Sequence, residues 1–132
     1  MQLTNYAFDE NLALNGKKVD LGDGSSITIA RWGNKNFTKL FTDSVKPYGK
    51  HVDRLDASVQ EGIYFDVVAK TIVLGWEGIF DGKETVPYST ENVARVFRKY
   101  PEFAQEVIAM SKEFALFRSE AMETDLGNSV PS

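Results

Sequence analysis

Two short stretches near the start of the chain alternate between apolar and polar positions. Lys18-Val19-Asp20-Leu21 and Ser26-Ile27-Thr28-Ile29 place an apolar side chain at every second residue, the period of a strand with one buried face. Gly22-Asp23-Gly24-Ser25 between them reads as a turn. Asn15-Gly16 is the favoured dipeptide for a two-residue hairpin, because both positions tolerate positive φ. The pattern predicts a small antiparallel β-meander over residues 12–32, with Val19, Leu21, Ile27 and Ile29 sharing a face. Such a sheet is stable only when packed on something else.

From Asn34 the period lengthens. Phe37, Leu40 and Phe41 fall at helical spacing, which predicts a helix over residues 34–45, ended by Pro47. Residues 48–55 read as a polar connection. Ser58 and Glu61 have the spacing of a capping box and open a helix expected over residues 58–75. Its apolar residues, from Ile63 to Leu74, wrap most of the circumference, so it is expected to be the central buried helix. Residues 76–88 are rich in turn formers. Ser89 or Thr90 then caps a helix over residues 89–100 that points Val93, Val96, Phe97 and Tyr100 inward. Pro101 suits the first turn of a last helix, over residues 101–119. The whole is an α+β chain: one domain over residues 1–119, with a mainly helical body and a small N-terminal antiparallel sheet. Residues 120–132 are expected to form a polar, flexible tail.

The last helix carries Phe103, Val107, Met110, Phe114 and Phe117 at alternating spacings of four and three. That seam suits packing within the chain, self-association or the cover of an apolar stripe on a partner. Composition sharpens the choice of partner. With 15 Lys and Arg against 19 Asp and Glu, the net charge is -4, which argues against nucleic-acid binding through phosphates. No stretch approaches the ~20 apolar residues that span a bilayer, and the N-terminal residues lack the order of a signal peptide. Cysteine is absent, so disulfides and thiolate chemistry are excluded. A cytosolic protein that works by protein contacts is the expectation.

A search for reactive groups returns little. The single histidine, His51, lies in a polar segment near Asp53 and Asp56, without a nucleophile beside it. Gly22-Asp23-Gly24-Ser25 lacks the Lys of a phosphate-binding loop and the ligand spacing of a calcium loop. Asp66 interrupts an apolar helix and reads as a solvated edge or as a partner of Lys70. No catalytic, metal or cofactor site is expected.

Three stretches resemble the tail assembly chaperones of siphophages, the family that includes the short chaperones of lambda-like phages. The first runs from Leu21-Gly22-Asp23-Gly24 to Arg31, Asn34 and Phe37, then Lys46-Pro47-Tyr48. The second is Trp76-Glu77-Gly78, then Asp81-Gly82-Lys83, then Pro87-Tyr88-Ser89 with Asn92. The third closes the last helix on Phe114, Phe117 and Arg118, followed by Gly127-Asn128-Ser129. The second succession is the specific part. The resemblance implies a chaperone that keeps the tape measure protein soluble and ordered while tube subunits polymerise around it. It also implies a longer frameshifted form that recruits the tail tube protein, this chain being the short form. Action in the host bacterial cytoplasm and absence from the mature virion follow from the same resemblance. The alternative is a structural tail component of tube, terminator or head–tail connector type, whose larger sheets this chain does not match.

Overall fold

The computed structural model describes residues 1–118, without the side chain of Phe114. The fold is mixed and mainly helical, with an antiparallel three-stranded sheet whose order is β1-β2-β3. β1 is Lys17–Gly22, β2 is Ser25–Ile29 and β3 is Val73–Glu77. The alternating pattern does its expected work in β2, where Ile27 and Ile29 are fully buried, and Val19 pairs opposite Ile27. Leu21 departs from the expectation. The ladder passes from Asp20 opposite Ser26 to Gly22 opposite Ser25, so Leu21 is the extra residue of a bulge and is exposed. β1 is an edge strand carrying Lys17, Lys18 and Asp20, charges that discourage further strand pairing.

Two boundaries differ from those the pattern predicts. Residues 10–15 form a helix, α1 (Glu10–Asn15), where the meander was expected to begin. Asp9 caps it by accepting from the amides of Asn11 and Leu12. Gly16, at φ +87°, serves as the helix stop, so Asn15-Gly16 is not a hairpin turn. A Cβ on Gly16 would come within 2.9 Å of Leu74 Cδ1 and of Thr28 Cγ2, so the position needs both the φ and the room. The third strand comes from far along the chain, from residues expected to end the long helix. Thr71-Ile72-Val73 is a run of three β-branched residues followed by Gly75, a combination that weakens a helix and favours a strand. The helix α3 therefore spans Ala57–Thr71 only. Its capping box does not form. Asp56 is the N-cap without a side-chain bond, Ser58 lies within the helix, and Gln60 Nε2 reaches back to the Leu55 carbonyl instead.

The remaining helices pack around α3. α2 (Lys35–Val45) is capped by Asn34, whose side chain accepts from the Phe37 amide at 3.0 Å. A 3-10 segment, Lys46–Arg54, kinked at Gly49, follows and leaves His51 exposed. α4 is Thr90–Lys99 and α5 is Pro101–Ser111. α3 contacts both α2 and α4, while α5 contacts α4 and β2. One core unites Ile27 and Ile29 of β2, Phe65 and Val68 of α3, Phe97 of α4 and Val107 of α5. Phe65 and Phe97 meet edge to face at 5.7 Å. Asp66, on the outer side of α3, pairs with Arg98 of α4 at 2.8 Å and not with Lys70; both side chains are substantially exposed.

The last helix is shorter than its apolar spacing predicts. It stops at Ser111, whose carbonyl accepts from the Trp32 amide while its hydroxyl donates to the Ile108 carbonyl. A separate 3-10 turn, Phe114–Phe117, follows, and the Phe117 carbonyl accepts from the Asp9 amide at 2.7 Å. The expected tail, residues 120–132, lies outside the described residues.

Replacing Asp9 by Ala should lower stability by roughly 1 kcal/mol, read as a drop in urea midpoint at unchanged slope. No change would mean that residues 10–15 are not held as a capped helix.

Candidate functional site

The segment between β3 and α4 is bound to the body by its own residues. Trp76 is 7% exposed, and its indole N–H donates to the Val86 carbonyl at 2.9 Å. The Val86 amide donates in turn to the Ile79 carbonyl. The Tyr88 hydroxyl donates to the Val73 carbonyl at 2.9 Å, and its ring meets Trp76 edge to face. Ser89 caps α4 by accepting from the Asn92 amide, while Asn92 Nδ2 donates to the Pro87 carbonyl. These bonds close the loop into a staple and leave its tip as a small hairpin, β4 (Phe80–Asp81) with β5 (Glu84–Thr85).

Gly78 fixes the staple against the β1–β2 turn. Its φ is +69°, and a Cβ there would lie 2.6 Å from the Gly24 carbonyl oxygen. The Ser25 hydroxyl donates to the Gly78 carbonyl at 2.6 Å. The Gly-Asp-Gly turn and the Trp-Glu-Gly step are thus in direct contact. Glu77 is exposed beside Lys18, at 3.9 Å, a weak surface pair.

Arg31 stacks its guanidinium over Phe8 at 4.1 Å, and its amide donates to the Ala13 carbonyl. Asn34 and Phe37 are buried, the first as the cap of α2 and the second as core. Apart from the exposed Glu77, the motif positions singled out in the sequence therefore hold the fold. Arg31 and Asn34 also line a second cavity, of about 310 Å³.

The apolar seam is divided in a similar way. Val107 and Phe117 are 0% exposed, and Phe103 and Met110 are half-buried against the core. The side chain of Phe114 lies outside the described part. Because the helix breaks at Ser111, the seam is no continuous stripe, and of these residues Phe103 is the one that borders a groove.

That groove has a volume of about 960 Å³ and opens between the β1–β2 turn, the β4–β5 hairpin and the α4–α5 junction. Phe80, 62% exposed at the hairpin tip, projects beside Leu21 of the bulge and Tyr100 of the helix junction. A three-member polar cluster anchors the hairpin. Asp81 accepts from Lys99 Nζ at 2.7 Å and from the Tyr100 hydroxyl at 2.6 Å. The Lys99 bond, then the Tyr100 bond, hold the Asp81 carboxyl below its ordinary value, and the same contacts raise Lys99 and Tyr100 above theirs. The cluster lies at the surface, with Lys99 and Tyr100 exposed and Asp81 half-buried, so its main effect is to position the hairpin. Asp23, Glu102 and Glu106 complete the rim. Among the described residues, no three His, Asp or Glu side chains converge as metal ligands.

The sequence singles out Asp81 only within the Asp81-Gly82-Lys83 step of the resemblance and misses Phe80; Leu21 and Tyr100, which the periods point inward, are exposed. The available signal is local: Phe80 is a large apolar residue between Gly78 and Asp81-Gly82, where turn formers leave it no periodic partner.

The profile of the family described as YdaY prophage protein matches residues 32–128. The chain belongs to that family. It is therefore phage-derived, and the match contains the staple, the hairpin and both helices at the groove; Arg31 lies one residue before it. No curated protein and no solved structure matches the chain.

Gly78→Ala should destabilise the protein by roughly 2–4 kcal/mol, since positive φ and backbone overlap with Gly24 act together. Chemical denaturation measures it. A cost below that of an ordinary surface substitution would show that the staple and the β1–β2 turn are not in contact.

Proposed function

We propose that this YdaY-family chain is a non-catalytic tail assembly chaperone of a long-tailed phage, binding the tape measure protein while the tail tube polymerises. The observation that carries the reading is the use of the 76–92 succession. These residues are the part of the sequence most like siphophage tail chaperones, and they build a rigid staple whose tip offers exposed apolar side chains beside a groove. A contact surface held by a fixed scaffold suits a binding protein. The phage origin of the family is in keeping with it. A client kept from aggregating by many weak contacts along its length would gain by multivalency and still be released.

In this reading the chain works in the host bacterial cytoplasm, can self-associate along its client, and is absent from the finished virion. A longer frameshifted product would carry the extension that engages the tail tube protein.

Co-expression with the tape measure protein of the same phage tests the reading. The tape measure protein should move from the pellet to the soluble fraction and co-purify with this chain, and purified tails should contain none of it by mass spectrometry. A client left in the pellet would count against a chaperone, and stoichiometric presence in tails would favour a structural component.

A further inference from the structure

We infer that the groove beside Phe80 docks a partner segment carrying apolar side chains flanked by Lys or Arg. This deepens the chaperone reading and rests on it for the existence of a protein client. Two observations choose the occupant. First, Phe80 is 62% exposed on a hairpin whose position is fixed by Asp81 on Lys99 and Tyr100, so its exposure is built in. Leu21, pushed out of the ladder by the bulge, and the half-buried Phe103 extend the apolar surface. Apolar surface of this kind marks interaction sites when rimmed by polar groups.

Second, the rim is strongly one-signed. Asp23, Asp81, Glu102 and Glu106 line the groove against one cation, Lys99, and that cation is held by Asp81 at 2.7 Å. The whole chain, with 19 acidic and 15 basic residues, is far more balanced. Three carboxylates thus remain to meet positive charge brought by a partner, which gives register and encounter rate more than affinity. Other occupants fit worse. Residues 119–132 of this chain carry Glu120, Glu123 and Asp125 and no Lys or Arg, so they meet like charge at the rim. A second copy brings a net charge of -4 to the same place.

The probe is a short fluorescent peptide of Leu and Lys with Leu on one helical face, titrated into the full chain and followed by anisotropy. Two control peptides carry Glu for each Lys, or the same residues in scrambled order. The Lys peptide should bind, the Glu peptide should not, and the scrambled one should bind at least about tenfold more weakly. Phe80→Ser, with its fold checked by circular dichroism, should weaken the Lys peptide about tenfold. The double change Glu102→Lys and Glu106→Lys should do the same and admit the Glu peptide. Equal binding of scrambled and ordered peptides, untouched by Phe80→Ser, would mean a polycation adhering to an acidic protein and would overturn the proposal. So would a dimer of the chain that Phe80→Ser dissociates. If Phe80→Ser solubilises the tape measure protein as well as the unaltered chain does, the groove assignment fails and the chaperone reading stands. Peptide binding as described, with no effect on the tape measure protein, leaves the groove and removes the chaperone reading.

Discussion

A buried indole needs a partner for its N–H, and the geometry of this protein follows from where Trp76 finds one. The ring sits in the core at the end of β3, and its donor reaches the Val86 carbonyl ten residues on. An unpaired donor at that depth would cost about 1–3 kcal/mol, so the intervening chain must return. Its return sets the hairpin, brings Tyr88 onto the Val73 carbonyl and delivers Ser89 to the start of α4. The outward step at Gly78 is possible only because no side chain separates it from Gly24. The groove is the space left between this returning loop, the first hairpin and the α4–α5 corner.

Much of this was legible in the sequence, for identifiable reasons. β2 and α4 follow their periods because one face of each is core, and the cap of α2 at Asn34 uses local chemistry that needs no tertiary help. Failures arose where two local signals competed. The apolar run through Leu74 reads as helix, yet Thr71-Ile72-Val73 prefers extended backbone and β2 offers an edge to pair with. Asn15-Gly16 suits a hairpin equally well as a helix stop, and Asp9 decides between them from six residues away. Ser58 and Glu61 match a capping box, but Asp56 precedes them and Gln60 takes the carbonyl behind. Leu21 was misplaced for a different reason: a one-residue bulge moves it off the shared face, and bulges leave no period to read.

The candidate site was less legible than the fold. Motif residues attract attention as functional, yet here Asn34, Phe37, Trp76, Gly78, Tyr88, Ser89 and Asn92 act as caps, core and tethers. The side chains left for a partner, Phe80 foremost, stand between them and have no pattern of their own. The apolar seam of the last helix shows the reverse ambiguity. Its spacing is that of a contact surface, but Val107 and Phe117 are spent on the core and the helix ends at Ser111. Burial and binding draw on the same residue types, so periodicity alone cannot separate them.

Amide hydrogen exchange of the chain, free and bound to the tape measure protein, tests the central claim most directly. Added protection should fall on residues 79–82 and 99–106, around the groove. The aromatic cluster of Trp32, Phe41 and Tyr64, which does not line the groove, should be unchanged. Protection confined to that cluster, or none at the groove in a complex that does form, would contradict the account.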